Sequence, residues 1–135
     1  MILYHASTVK IDKFYIPYGG LHVGGVHSAL EAALRKIRSY DGPFTQHVYI
    51  HRLEVDIGRS ILYDDMGDDE GWRTLIARHK DECDTVEYRN SFEPDVVNSF
   101  LIWDATRVTI LDIDVMSQDE AEDKLNEFYE ENHIL

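Results

Sequence analysis

The chain has 135 residues, 44% of them hydrophobic, which is enough for one globular domain with a real core and too little for a second. Its 26 acidic residues outweigh 13 basic ones, and the formal charge of −13 excludes a protein that grips nucleic acid through clustered Lys and Arg on the phosphates. The single cysteine, Cys83, excludes an internal disulfide and a multi-cysteine zinc site.

So acidic a surface attracts a basic protein, or imitates phosphate in the nucleic-acid groove of another protein. At the N-terminus Lys10, Asp12 and Lys13 interrupt any apolar run, so no signal peptide is predicted. No stretch approaches the roughly 20 apolar residues of a membrane span. The expectation is a soluble, cytoplasmic protein without a membrane partner.

In chain order, Ile2 to His5 is apolar enough for a strand, and Ser7 to Tyr18 reads as a loop closing on Pro17 and Gly19-Gly20. Ser28 is the predicted N-cap of a helix, with Glu31 as capping-box partner, because Ala29, Leu30, Ala33, Leu34 and Ile37 then recur at helical spacing. Gly42-Pro43 breaks the chain. Gln46 to Asp56 alternates as a long strand, Val48 and Ile50 facing one way and Tyr49 the other.

A short strand is expected at Ile61 to Tyr63, followed by the acidic run Asp64 to Glu70 and a helix with Trp72, Leu75, Ile76 and His79 on one face. Thr85 to Arg89, Ser99 to Asp104 and Val108 to Val115 read as strands. Ser117 caps a last helix whose Ala121, Leu125 and Phe128 line one side, the rest being crowded with Asp and Glu as a solvated face. Strands dominate the C-terminal half, so the class is α+β.

Three segments stand out by their order: Tyr4-His5-Ala6-Ser7 in the first strand, Gly20-Leu21-His22-Val23-Gly24 ahead of a helix, and Tyr88-Arg89-Asn90-Ser91-Phe92-Glu93 shortly before Ser99-Phe100-Leu101-Ile102-Trp103-Asp104. In these the chain resembles the ADP-ribosyltransferase superfamily, in particular the diphtheria-toxin and poly-ADP-ribose-polymerase branch and its small bacterial and phage relatives. The resemblance implies one domain with two curved, mostly antiparallel sheets, flanking helices, and NAD in the cleft between the sheets, with no metal.

Under that resemblance His5 bonds the adenosine ribose, and the backbone of Ala6, where the family usually has Gly, holds the nicotinamide amide. Tyr18 to Gly24 stands for the family's Tyr-Gly-x-Gly-Ile-Tyr-Phe strand, which places His22 where an aromatic ring stacks on nicotinamide. Ser28 matches the serine that bonds the nicotinamide amide, with the helix cap as its competing role. Ser99 occupies the position of the polymerase-like glutamate, and the stretch from Tyr88 resembles the Tyr-x-Asn-x-x-Glu of small prokaryotic relatives. Glu93 is therefore the candidate catalytic carboxylate, Asp95 its substitute, and Tyr88, Asn90 and Ser99 complete the NAD-contacting set.

The chemistry explains the need for a carboxylate. Breaking the bond between nicotinamide and ribose builds positive charge on the sugar, and an anion bonded to the ribose 2′-hydroxyl orients the ring and stabilises that charge. The expected function is NAD-dependent ADP-ribosylation of a macromolecular, basic acceptor, of the kind used in conflict between bacteria, phages and mobile elements. Two alternatives are a catalytically silent acidic module that blocks a basic or nucleic-acid-binding protein, and an NAD glycohydrolase.

Other constellations point elsewhere. His47, Tyr49 and His51 share a strand face that reads as polar sheet surface rather than zinc site. Asp64 to Glu70 lacks the alternating ligands and distal Glu of a calcium loop. Cys83 has acidic neighbours in Asp81, Glu82 and Asp84, which disfavour a thiolate.

Overall fold

Alternating apolar residues at the N-terminus form strand β1, Ile2–Ser7, which pairs antiparallel with the long strand β3, His47–Val55, so that His5 lies opposite His51. β3 pairs on its other edge with β7, Val108–Ser117, giving a three-stranded antiparallel sheet in the order β1-β3-β7. The structure, a computed structural model, describes residues 1–39, 46–91 and 95–132.

The second sheet has four strands, β2 (Leu21–Val23), β6 (Ser99–Ile102), β5 (Thr85–Arg89) and β4 (Ser60–Asp64), in the order β2-β6-β5-β4. All neighbours are antiparallel except β4 and β5. Parallel neighbours need a crossover, and helix α2, Asp69–His79, supplies it. The expectation of an α+β domain with two mostly antiparallel sheets is met.

Three apolar clusters hold these layers together. Helix α1, Val26–Arg38, lays Ala29, Leu30, Ala33, Leu34 and Ile37 on Val48 and Ile50 of β3, and helix α3, Gln118–Glu131, adds Ala121 and Leu125. Burying a side chain such as Leu30, Leu34 or Leu125 stabilises the fold by roughly 1.5–3 kcal/mol. Between the sheets, Leu3, Leu53 and Val55 meet Leu21, Val23, Phe100 and Ile102, with Phe14 from the 8–20 loop closing the side. On the far face of the second sheet, Trp72 and Leu75 of α2 cover Val86, Tyr88 and Leu101.

Two expectations are corrected. Ser28 is not the helix cap: the N-cap is Gly25, Ser28 is the third helical residue, and its backbone N–H donates to Asp95 Oδ2 at 2.8 Å. Glu31 makes no capping box, because its carboxylate instead accepts from Arg38 and from the Tyr129 hydroxyl. Nor is His51 on a polar surface. It shares the face of His47 and Tyr49, but there Ile11 and Phe14 of the 8–20 loop lie against it and His51 is fully buried.

The Gln118–Glu131 helix starts as expected, Ser117 Oγ accepting from the Glu120 N–H at 3.1 Å. Asp68 does the same for α2, accepting from the Gly71 N–H at 2.7 Å. Both exploit the unpaired N–H groups of a first helical turn. The strands at 2–7 and 108–117 run past their expected ends, and Gly42-Pro43 lies outside the described residues.

The two sheets meet edge to edge where β1 faces β2. The Tyr4 N–H donates to the Gly24 carbonyl at 2.7 Å and the Gly24 N–H to the Tyr4 carbonyl at 3.0 Å. Beyond that bridge the strands diverge, and the space they leave opens beside α1.

Candidate functional site

A cavity of about 330 Å³ occupies this divergence. Its walls come from β1, β2, the side of α1 that flanks β1, the β4–α2 connection, the first turn of α2 and the ends of β5 and β6. His5, Ala6, His22, Ser28, Tyr88, Asn90 and Ser99, which are separated by up to 94 positions in the chain, all line it. Glu93 lies outside the described residues; on either side of it the chain is tied, Ser91 N–H to Asp65 Oδ2 at 3.1 Å and Asp95 to α1.

His5 is oriented by its backbone neighbours. Its Nδ1 lies 3.0 Å from the His22 carbonyl, which can only accept, so Nδ1 carries the proton and Nε2 is left as an acceptor. Behind it stands His51, whose Nδ1 donates to the His5 carbonyl at 3.0 Å while its Nε2 accepts from the Ile11 N–H at 2.9 Å. Phe14 packs edge-on against both rings, at 5.3 and 5.7 Å. The sequence reading missed His51 as a support of the first strand, because face-sharing does not reveal what covers a face.

His22 is held at both nitrogens. Nε2 donates to the Gly19 carbonyl at 3.2 Å, so neutral Nδ1 accepts from the Tyr88 hydroxyl at 2.8 Å. What His22 offers a ligand is therefore ring surface. Trp72 and Tyr88 stand against it, with centroids 5.0 and 5.7 Å away, and against each other at 4.5 Å. Trp72 was read only as a helix-core residue, yet it lines the cavity as well.

Burial is the main reason that His5 and His22 sit below the ordinary histidine value, and it lowers His51 too. The neutral form of each is favoured, and for His51 the Ile11 N–H that bonds Nε2 requires it. Nearby charges differ between the first two: Lys36 further disfavours a charged His5, whereas Asp65 and Asp69 favour a charged His22.

Ser28 and Ser99 converge on Gly24. Their hydroxyls come so near that a Cβ at Gly24 would overlap Ser99 Oγ and lie 2.8 Å from Ser28 Oγ, which leaves glycine as the residue that fits. Ser28 Oγ donates to the Gly25 carbonyl at 3.0 Å. Ser99 Oγ donates to Asn90 Oδ1 at 2.7 Å, and Asn90 Nδ2 donates to the Val97 carbonyl at 3.3 Å, fixing the residues that flank β6. Asp95, the alternative carboxylate, is committed to the α1 N-terminus and is not among the cavity-lining residues.

Tyr4, Arg35, Lys36, Asp65 and Asp69 also line the space. The α1 contributors were legible only in hindsight: Ala29, Ala32, Arg35 and Lys36 follow one another at helical spacing along the side of α1 that flanks β1. Among the described residues no group of three or more His, Cys, Asp or Glu is arranged to hold a metal, and no helix is long and apolar enough to cross a membrane. Cys83 is buried, and burial together with Asp84 and Glu82 raises its thiol pKa. Comparison with family models, curated proteins and solved structures returns no match.

Proposed function

We propose that this chain is an NAD-dependent ADP-ribosyltransferase acting on a macromolecular acceptor with a basic surface. The supporting observation is the meeting in one cavity of His5, Ala6, His22, Ser28, Tyr88, Asn90 and Ser99, selected from three separate segments for one chemistry. In this reading His5 Nε2 accepts from a ribose hydroxyl, and the Ala6 backbone and Ser28 hydroxyl hold the nicotinamide amide. The His22, Tyr88 and Trp72 rings pack the nicotinamide. Asn90 and Ser99 brace the segment that carries Glu93.

The bond between ribose C1′ and the nicotinamide nitrogen breaks, and its electron pair leaves with neutral nicotinamide. The Glu93 carboxylate, accepting from the ribose 2′-hydroxyl, stabilises the oxocarbenium-like state until an acceptor nucleophile closes on C1′ and gives up its proton. In the glycohydrolase alternative water takes the acceptor's place.

The test is calorimetric titration of purified protein with NAD, followed by nicotinamide release in the same samples with and without cell lysate. Wild type is expected to bind NAD, His5→Ala to lose most of that binding, and lysate to stimulate release. Glu93→Gln is expected to keep the fold and slow release by about a hundred- to a thousandfold. No binding by wild type at millimolar NAD overturns the proposal. Release that ignores lysate makes the protein a glycohydrolase.

A further inference from the structure

Strand β7 has β3 on one side and, among the described residues, no strand on the other. Just past its end the Gln118 N–H bonds the Gln46 carbonyl at 3.1 Å, which fixes the phase of the antiparallel ladder. Counting back by twos, Met116, Asp114 and Asp112 exchange backbone bonds with Val48, Ile50 and Arg52, whereas Val115 and Ile113 turn their N–H and carbonyl groups to the open edge. On that edge the Val115 N–H donates to the Asp114 carboxylate at 2.9 Å. The register shift opposite Arg52 and Leu53 then puts Leu111 out of step and ends the regular run.

The two faces of this edge differ. Ile113 and Val115 stand beside His51 and Tyr49 on one face, where Val115 is 51% exposed and Ile113 and Tyr49 are half-buried. Asp112 and Asp114 belong to the other face, Asp112 held by Arg52 at 2.8 Å and Asp114 making no ion pair with a described residue. Between Arg107 and Lys124 the chain has no Lys, Arg or His, while Asp119 and Glu120 extend the acidic run into α3. A second copy is therefore a poor occupant. Pairing β7 with itself sets Asp112 or Asp114 against Asp114, and two chains of charge −13 repel each other. Asp114 also covers the Val115 N–H while the edge is empty, as charged edge residues do against wrong pairing.

We propose that the β7 edge is a docking strand for a partner protein, which adds to the β1-β3-β7 sheet a short extended segment of alternating apolar and basic residues. Its apolar side chains lie against Ile113 and Val115, and its Lys or Arg side chains stand beside Asp112 and Asp114. A basic side chain there draws the Asp114 carboxylate off the Val115 N–H and opens that donor to an incoming carbonyl. Such docking requires nothing of the cavity: strand addition holds a basic partner whether or not chemistry is done on it.

The test uses fluorescence anisotropy with two labelled probes, a peptide of alternating lysine and valine and one of alternating glutamate and valine, on wild type, Asp114→Lys and Asp81→Lys. Both aspartates are exposed, so both variants are expected to fold; the charge change is the same, but Asp81 lies between α2 and β5 of the other sheet. Wild type is expected to bind the lysine peptide and not the glutamate one, with slowed hydrogen exchange at the Ile113 and Val115 amides. Asp114→Lys is expected to weaken the lysine peptide about two- to fivefold, and Asp81→Lys to weaken it by a smaller factor. Equal losses in the two variants, or unchanged exchange at those amides, reduce the binding to diffuse charge and overturn the proposal, as does failure of wild type to bind the lysine peptide. A wild-type dimer in sedimentation that protects the same amides gives the edge to a second copy and overturns it too.

Discussion

His51 connects two pieces of backbone that have no ladder between them. Its imidazole takes the Ile11 N–H at one nitrogen and gives a proton to the His5 carbonyl at the other, which only the neutral ring can do. His5, His22 and His51 all have folded-state values below the ordinary 6.5, burial being the first cause of each. The unfolded chain therefore binds more protons, so the stability these groups carry is complete above about pH 6.5 and is lost as pH falls toward the depressed values. Urea unfolding between pH 8 and pH 5 is expected to show that decline. His51→Leu is expected to cost about 2–4 kcal/mol at pH 8, by leaving the Ile11 N–H and the His5 carbonyl unpaired, and to flatten the pH dependence.

Among the elements, α1 shows most plainly what was legible in the sequence. Its apolar stripe named the core residues correctly, because periodicity is local and Leu30 and Leu34 recur whatever lies beyond. Its start was misjudged by a few residues, because the group that satisfies the first turn is Asp95, 67 positions away in the chain. Asp95→Ala is expected to cost about 0.5–2 kcal/mol in urea denaturation, the usual loss when a helix N-terminus gives up a side-chain acceptor. His51 eluded the reading for a related reason. Alternation assigns residues to a face, while the cover over that face is supplied by Ile11 and Phe14 of a loop with no periodicity at all. The candidate site was legible as three short segments; their meeting, the part played by Trp72 and the placement of Lys36 depend on sheet order and helix docking, which no single segment encodes.

For the molecule as a whole, charge decides which partner can approach. Steering by a net −13 acts over a Debye length, about 8 Å at physiological ionic strength, and weakens as salt rises. Under the proposed transferase function, transfer of ADP-ribose to a basic protein acceptor is expected to fall steeply with added salt, whereas nicotinamide release without acceptor changes little. The two can be followed in parallel with labelled NAD. An acidic module that blocks by charge alone would instead show salt-sensitive capture of a basic protein and no release at any salt.

The backbone bridge at Tyr4 and Gly24 bears on how the cleft behaves mechanically. A closed ladder would fix the spacing of the two sheets bond by bond. Here that spacing is governed by side chains, by Leu3 and Leu53 against Val23 and Phe100 and by the His5 bond to the His22 carbonyl. With one backbone bridge and a seam of side chains between the two sheets, a molecule that touches both would act as a splint across them.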